Sequence, residues 1–198
     1  MKLIDGKIAV VTGGTKGLCA AIARNFAMAV AAGMAIVGRG AEKGRKVAEA
    51  IEAKTAVPML VVAADLGNID DVRQTMAEAD ARFGRVDILV NAADLTDRSP
   101  NRNTTPELFD RKFAVNTRAL LFLMQDAVKI MEREGIEGRI VNIGSASEFV
   151  GQPFIDLYSA SKAVLAALTR NSGYALMSNH IYVNYTAATA KPEIFHEL

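Results

Sequence analysis

The sequence predicts an α/β fold, a doubly wound parallel sheet in a single domain, and three observations carry that expectation. Six short apolar runs alternate with helical patterns along the whole chain, with no internal repeat or linker. The first run is wholly apolar and short, the pattern of a strand covered on both faces. It passes through a glycine-rich turn directly into a helix, the join that aims backbone N–H groups and a helix N-terminus at a phosphate. At 198 residues the chain suffices for one domain with a large core.

In order, Ile8-Ala9-Val10-Val11 is the first strand, and Thr12-Gly13-Gly14-Thr15-Lys16-Gly17-Leu18-Cys19 leads into an alanine-rich helix reaching about Ala29. Met34-Ala35-Ile36-Val37 is the second strand, followed by Gly38-Arg39-Gly40 and an amphipathic helix over Glu42 to Ala53. The third strand, Pro58 to Ala63, closes on Ala64-Asp65-Leu66. Asn68 caps the next helix, with Asp70 and Asp71 in its first turn as the dipole favours. Val72, Met76, Ala79 and Phe83 form its apolar stripe, and Gly84 ends it. Val86 to Val90 is the fourth strand, running into Asn91-Ala92-Ala93-Asp94. A polar loop leads to Thr104-Thr105-Pro106-Glu107, which fits either a capping box from Thr104 or a Thr105 cap with Pro106 in the first helical position. One long helix follows to about Glu134, with Asn116 near its middle. The fifth strand is Ile140 to Ile143, the next helix carries Tyr158 and reaches about Met177, and Ile181-Tyr182-Val183 is the sixth strand.

Composition narrows the functional classes. Apolar residues make up 51% and charged residues 23%, an ordinary globular balance. The net charge of +1 comes from dispersed residues, which argues against nucleic acid or an anionic membrane as the main partner. The single cysteine, Cys19, excludes an internal disulfide and fits a reducing compartment. A first strand beginning by Lys7-Ile8 leaves no room for a signal peptide, and no apolar run is long enough to cross a bilayer. The expectation is a soluble cytoplasmic protein. His180 and His196 have no metal-ligating companions at sensible spacing, so no metal is expected.

Chemistry gathers between Ser145 and Lys162. Tyr158 and Lys162 lie four apart, so on a helix they share a face. A phenol titrates near ~10, and a neighbouring ammonium brings it toward useful acid–base range. Ser145, thirteen residues before Tyr158 at a strand end, is placed to present its hydroxyl at the same point.

Together these residues resemble the classical short-chain dehydrogenase/reductase family over nearly the whole chain. Thr12-Gly13-x-x-x-Gly17 is similar to the family's cofactor turn. Asp65 matches its adenine-side acid, and Asn91-Ala92-Ala93 resembles the stretch that stabilises the central sheet beside the cofactor. Asn116, Ser145, Tyr158 and Lys162 fall at the positions of its catalytic tetrad. The resemblance implies a Rossmann-type fold, a nicotinamide cofactor, reversible alcohol oxidation and a small-molecule alcohol or carbonyl substrate. By it, Tyr158 exchanges the proton and Ser145 steadies the substrate oxygen. Lys162 lowers the tyrosine pKa and binds the nicotinamide ribose, and Asn116 holds a water linking the lysine to solvent. It implies cofactor contacts from Gly13, Thr15, Lys16, Gly17, Leu18, Arg39, Asp65, Leu66, Asn91, Ala92, Tyr158 and Lys162. It also implies a homo-oligomer, dimer or tetramer, through the Asn116 and Tyr158 helices. Arg39 after the second strand and Lys16 in the turn, with no acid at that strand end, favour NADP over the alternative NAD.

The sequence departs from the family pattern where glycine or Pro-Gly is expected: Cys19 ends the cofactor turn, Asp94 follows Asn-x-Ala, and Ala187-Ala188 follows the sixth strand; Val30 also replaces a turn glycine. Cys19 is expected as a small buried thiol, with a redox switch as the other reading. The family's usual seventh strand and substrate-covering helices have no counterpart before Leu198. A nucleotide-binding regulatory or scaffold protein without turnover is therefore the competing function.

Overall fold

The computed structural model describes residues 4–188 except Lys16, Val30, Asp97 and Ser99. The Lys16 and Val30 readings, and those for His196 and the chain's last residues, lie outside the described residues. The elements are β1 (Ile8–Thr12), α1 (Gly17–Met28), β2 (Gly33–Gly38), α2 (Ala41–Thr55), β3 (Met59–Ala63), α3 (Ile69–Phe83) and β4 (Ile88–Asn91). Then come α4 (Pro106–Phe113), α5 (Ala119–Arg133), β5 (Arg139–Ser145), α6 (Asp156–Leu176) and β6 (Tyr182–Ala188). The six strands form one parallel sheet in the order β3-β2-β1-β4-β5-β6. Strand order reverses across β1 and β4, which opens a crevice at their C-terminal ends.

Alternate strand residues feed two cores. Val10, Ala35, Val37, Leu89 and Ile140 pack with Val72 and Met76 of α3, Leu120 and Leu123 of α5, and Leu165 of α6. Their neighbours Ala9, Val11, Met34, Ile36, Ile88 and Val90 pack with Ala23 and Ala27 of α1 and Ala48 and Ile51 of α2. This is the period-two division of a sheet buried on both faces. The α1–α2 layer packs on β1, β2 and β3, whereas Tyr182, Asn184 and Thr186 of β6 are exposed.

Helix punctuation follows the sequence closely. The Asn68 Oδ1 accepts the Asp70 N–H at 2.9 Å, and Gly84 closes α3 in the left-handed region at φ +72°. Thr105 Oγ1 accepts the Leu108 N–H at 3.3 Å with Pro106 in the first turn, so the Thr105 cap is the one used. Two expectations are corrected. The single long helix is two helices joined by a π-helical turn, Ala114–Arg118, and Asn116 sits within that turn. The sixth strand also runs on to Ala188, pairing Gly144 with Ala187 and Ser145 with Ala188. Alanines keep the ladder N–H groups that a proline would remove there. No helix among the described residues is long and apolar enough to cross a membrane.

Candidate active site

The site is assembled where β1, β4 and β5 end. Thr12, the last residue of β1, accepts the Ala92 and Ala93 N–H groups on its Oγ1, each at 3.0 Å. Gly13 adopts φ +75°, and a Cβ there would stand 3.0 Å from the Ala93 Cα, so the β1 turn and the β4 loop are in direct backbone contact. Cys19 fits beside them and donates its thiol to the Ala92 carbonyl at 3.4 Å. The half-buried thiol is thus accommodated where the family pattern has a glycine, with a partner on the β4 loop. Asn91 ties β4 to β5 by donating to Asn142 Oδ1 at 2.9 Å, and Asn142 in turn donates to Thr169 of α6 at 2.9 Å.

The Asn116 side chain makes three hydrogen bonds. Its Oδ1 accepts the Leu95 N–H at 2.7 Å, while its Nδ2 donates to the Leu95 carbonyl at 3.0 Å and to Ser161 Oγ at 3.0 Å. The buried side-chain amide is therefore engaged with the β4 loop and α6. The π-helical turn supplies this orientation, since its i→i+5 bonding rotates the chain relative to a regular α-helix.

Ser145, Tyr158 and Lys162 do converge, and Asp94 stands among them. The Tyr158 hydroxyl donates to Asp94 Oδ2 at 3.1 Å, and Lys162 Nζ lies 3.8 Å from the same oxygen. Lys162, almost fully buried, donates to the Ile143 carbonyl at 2.9 Å and sits 5.5 Å from the Tyr158 ring centre. Ser145 Oγ accepts the Ser147 N–H at 3.2 Å and the Ser147 hydroxyl at 2.9 Å. Its backbone N–H reaches Tyr185 Oη at 3.2 Å, while Tyr185 donates to the Glu148 carboxylate. Gly144 lets that tyrosine lie across β5, because any Cβ there would overlap its ring.

Asp94 changes the electrostatics of the Tyr158–Lys162 pair. Burial, then the Asp94 carboxylate, push the Tyr158 phenol up to about 12, against the opposing pull of the Ser145 hydroxyl. Burial likewise lowers the Lys162 pKa, although Asp94 favours its charged form. The pairing that sequence spacing suggested is present, but a carboxylate shares it.

The β1–α1 join fits a dinucleotide phosphate. Gly17 begins α1 at φ +53°, and a Cβ added there would meet nothing within 4 Å, leaving open space beside the helix N-terminus. The first turn of α1 carries no acid to oppose an anion. Thr15 packs under this turn against Gly38, and Leu18 is exposed beside it. Arg39 is exposed just past β2. Two residues expected at the adenine side have their own partners in the fold. Asp65 accepts Arg111 Nη2 on both oxygens at 2.8 and 2.9 Å and caps the Gly67 N–H at 2.9 Å. The Leu66 side chain is in the core, leaving only its backbone for a ligand. The Arg111 bond, with the Arg39 charge also nearby, holds the Asp65 pKa below its usual range.

Sequence reasoning placed Thr12 in the cofactor turn without its bonds to the Ala92 and Ala93 amides, missed Arg111 and Tyr185 as parts of the site, and met Asp94 only as a departure from an expected glycine. For Asp94 the signal was its position in the loop after β4, beside the expected cofactor. The partners of Asp65 and Ser145 lie 46 and 40 residues away, and no local pattern announces them.

The profile of the family described as short chain dehydrogenase matches residues 7–191. Sorbitol dehydrogenase of Cereibacter sphaeroides is 33% identical over 184 residues, 93% of this chain and 70% of that protein. The crystal structure of L-sorbose reductase from Gluconobacter frateurii, complexed with NADPH and L-sorbose, superposes with a TM-score of 0.90 at 26% identity, covering 94% of this chain and 71% of that one. A short chain dehydrogenase from Burkholderia cenocepacia in complex with NADP gives 0.86 at 32% identity, covering 93% and 74%.

Proposed function

The chain belongs to the short-chain dehydrogenase family, and we propose that it interconverts a secondary alcohol and a ketone, using NADP(H) in preference to NAD(H), with Tyr158 as the proton donor and acceptor. The observation that carries the assignment is the convergence of the Ser145, Tyr158 and Lys162 side chains at the end of β5. A bound nicotinamide cofactor supplies the hydride. Its pyrophosphate would lie at the Gly13–Gly17 turn and the α1 N-terminus, its ribose by Lys162, and a 2′-phosphate by Arg39. Tyr158 gives its proton to the carbonyl oxygen in reduction and takes it from the alcohol in oxidation. Ser145 hydrogen-bonds that oxygen and stabilises the charge developing on it. The buried Lys162 ammonium supports the ionised phenol.

Arg39, the absence of a carboxylate at the β2 end, and the NADP or NADPH held by the two solved relatives support the cofactor preference. The names of the sorbitol and L-sorbose enzymes favour a polyol or ketose. Phe149, Val150 and Phe154, exposed on the segment between β5 and α6, favour an apolar substrate face. Phe109, Leu121 and Val164 leave apolar surface on α4, α5 and α6 for a second copy, and the single cysteine supports a cytoplasmic setting.

The test follows nicotinamide absorbance with polyols, ketoses and aromatic ketones, in both directions, for the wild type and Tyr158→Phe. A turnover loss of about 10²–10⁴ in the variant is expected, and unaltered turnover overturns the assignment. The Asp94 contact favours a second reading, cofactor binding without turnover, which gains if both cofactors bind and no substrate reacts.

A further inference from the structure

The corner of chain carrying Asp94 is tied down on both sides. Before it, Ala92 and Ala93 are held by Thr12 and Cys19; after it, Leu95 is held by Asn116 through both its N–H and its carbonyl. The backbone therefore presents Asp94 from a fixed position, and its partly exposed side chain moves chiefly by rotation about its own bonds. Its Oδ2 accepts the only proton that the Tyr158 hydroxyl can donate. That hydrogen bond and one from Tyr158 to a substrate oxygen exclude each other. The same carboxylate oxygen faces the Lys162 ammonium at 3.8 Å.

We propose that Asp94 is an internal competitor for the Tyr158–Lys162 pair, a positioning residue whose carboxylate holds the phenol in the resting protein and must rotate away before a substrate oxygen can take its place. This rests on the oxidoreductase reading above. Among the described residues, the other charged and titratable groups around the pair are Cys19 from α1 and Glu148 from the turn after β5, both acting on Lys162. Tyr185 from β6 is directed at Glu148, and Arg170 on α6 acts on that glutamate as well. Asp94 is the one of these that touches the phenol. The high Tyr158 pKa, raised by burial and then by this carboxylate, agrees with the geometry.

Two readouts test the proposal, one independent of turnover. Spectroscopic titration of the tyrosines without cofactor, with Tyr158→Phe as the difference reference, isolates the Tyr158 phenol. Asp94→Asn keeps the shape and removes the charge, so the Tyr158 midpoint is expected to fall by about one pH unit, about tenfold more phenolate at a fixed alkaline pH. Asp94→Gly is expected to show the same fall, and Asp94→Glu to retain the high midpoint. In turnover assays of both neutral variants, the substrate KM should drop about three- to tenfold with a smaller change in kcat, and the rise of alcohol oxidation with pH should begin about one unit lower. A titration unchanged in both neutral variants overturns the proposal. So does a KM that rises tenfold in both, which would make Asp94 a substrate ligand. If no protein, wild type included, turns over any substrate, the proposed function fails, while the titration still decides whether Asp94 holds the phenol.

Discussion

Asp87, just before β4, has only 1% of its side chain exposed, yet its carboxylate is fully partnered. It accepts the Ile8 N–H at 2.9 Å, Arg85 at 3.0 and 2.7 Å, and Lys7 at 3.2 Å, fixing the N-terminal ends of β1 and β4 relative to one another. Burial alone would raise its pKa, but Arg85, the Ile8 amide and Lys7 outweigh it and lower the value. A depressed folded pKa contributes stability that is present above the unfolded value of about 3.9 and lost as the pH falls through the folded one. Asp87→Asn is thus expected to cost about 2 kcal/mol in urea unfolding at pH 7. The difference from wild type should shrink toward zero in strong acid; a constant difference at all pH values would refute the account. The sequence marked Asp87 only as part of an apolar run. Tyr158 and Lys162, by contrast, were legible because their relation depends on helical spacing alone. Asp94 was legible as an exception, but its contact with Tyr158 depends on how two elements 64 residues apart are placed.

Between α4 and α5 the Ala114–Arg118 turn departs from the regular ladder without a proline or glycine to signal it. That explains why one continuous helix was expected. The asparagine within it was a usable hint, since asparagine is mildly unfavourable inside a helix. What the hint left open was the partner: the amide serves Leu95 on the β4 loop. Asn116→Ala would remove both hydrogen bonds to that residue and leave the Leu95 N–H and carbonyl short of partners. The expected cost is about 2 kcal/mol, with faster amide exchange at Leu95 and little change in the β1 amides. Retained protection at Leu95 would mean that packing alone holds the loop. Caps were easier to anticipate, because Asn68, Thr105 with Pro106, and Gly84 act within one turn of themselves.

The whole molecule matches the expected doubly wound sheet because its signals are repeated along the chain: apolar strands, glycine or capped turns, amphipathic helices. Strand lengths were less legible. The polar Asn184 and Thr186 interrupt the apolar run of β6, and β5 continues past its apolar residues into Gly144-Ser145, yet both strands extend to the site. Burial is unequal across the sheet, since β1 is enclosed on both faces whereas β6 alternates exposed and half-buried residues. Hydrogen exchange of this 198-residue chain should therefore find β6 the least protected strand and β1 the most; equal protection would contradict that ranking. Ser145 hangs from β5 where β5 is zipped to β6, at its pairing with Ala188. Warming should silence the protein while circular dichroism still reports a nearly complete complement of helix, because the strand pair that aims the serine loosens before the cores on β1 give way.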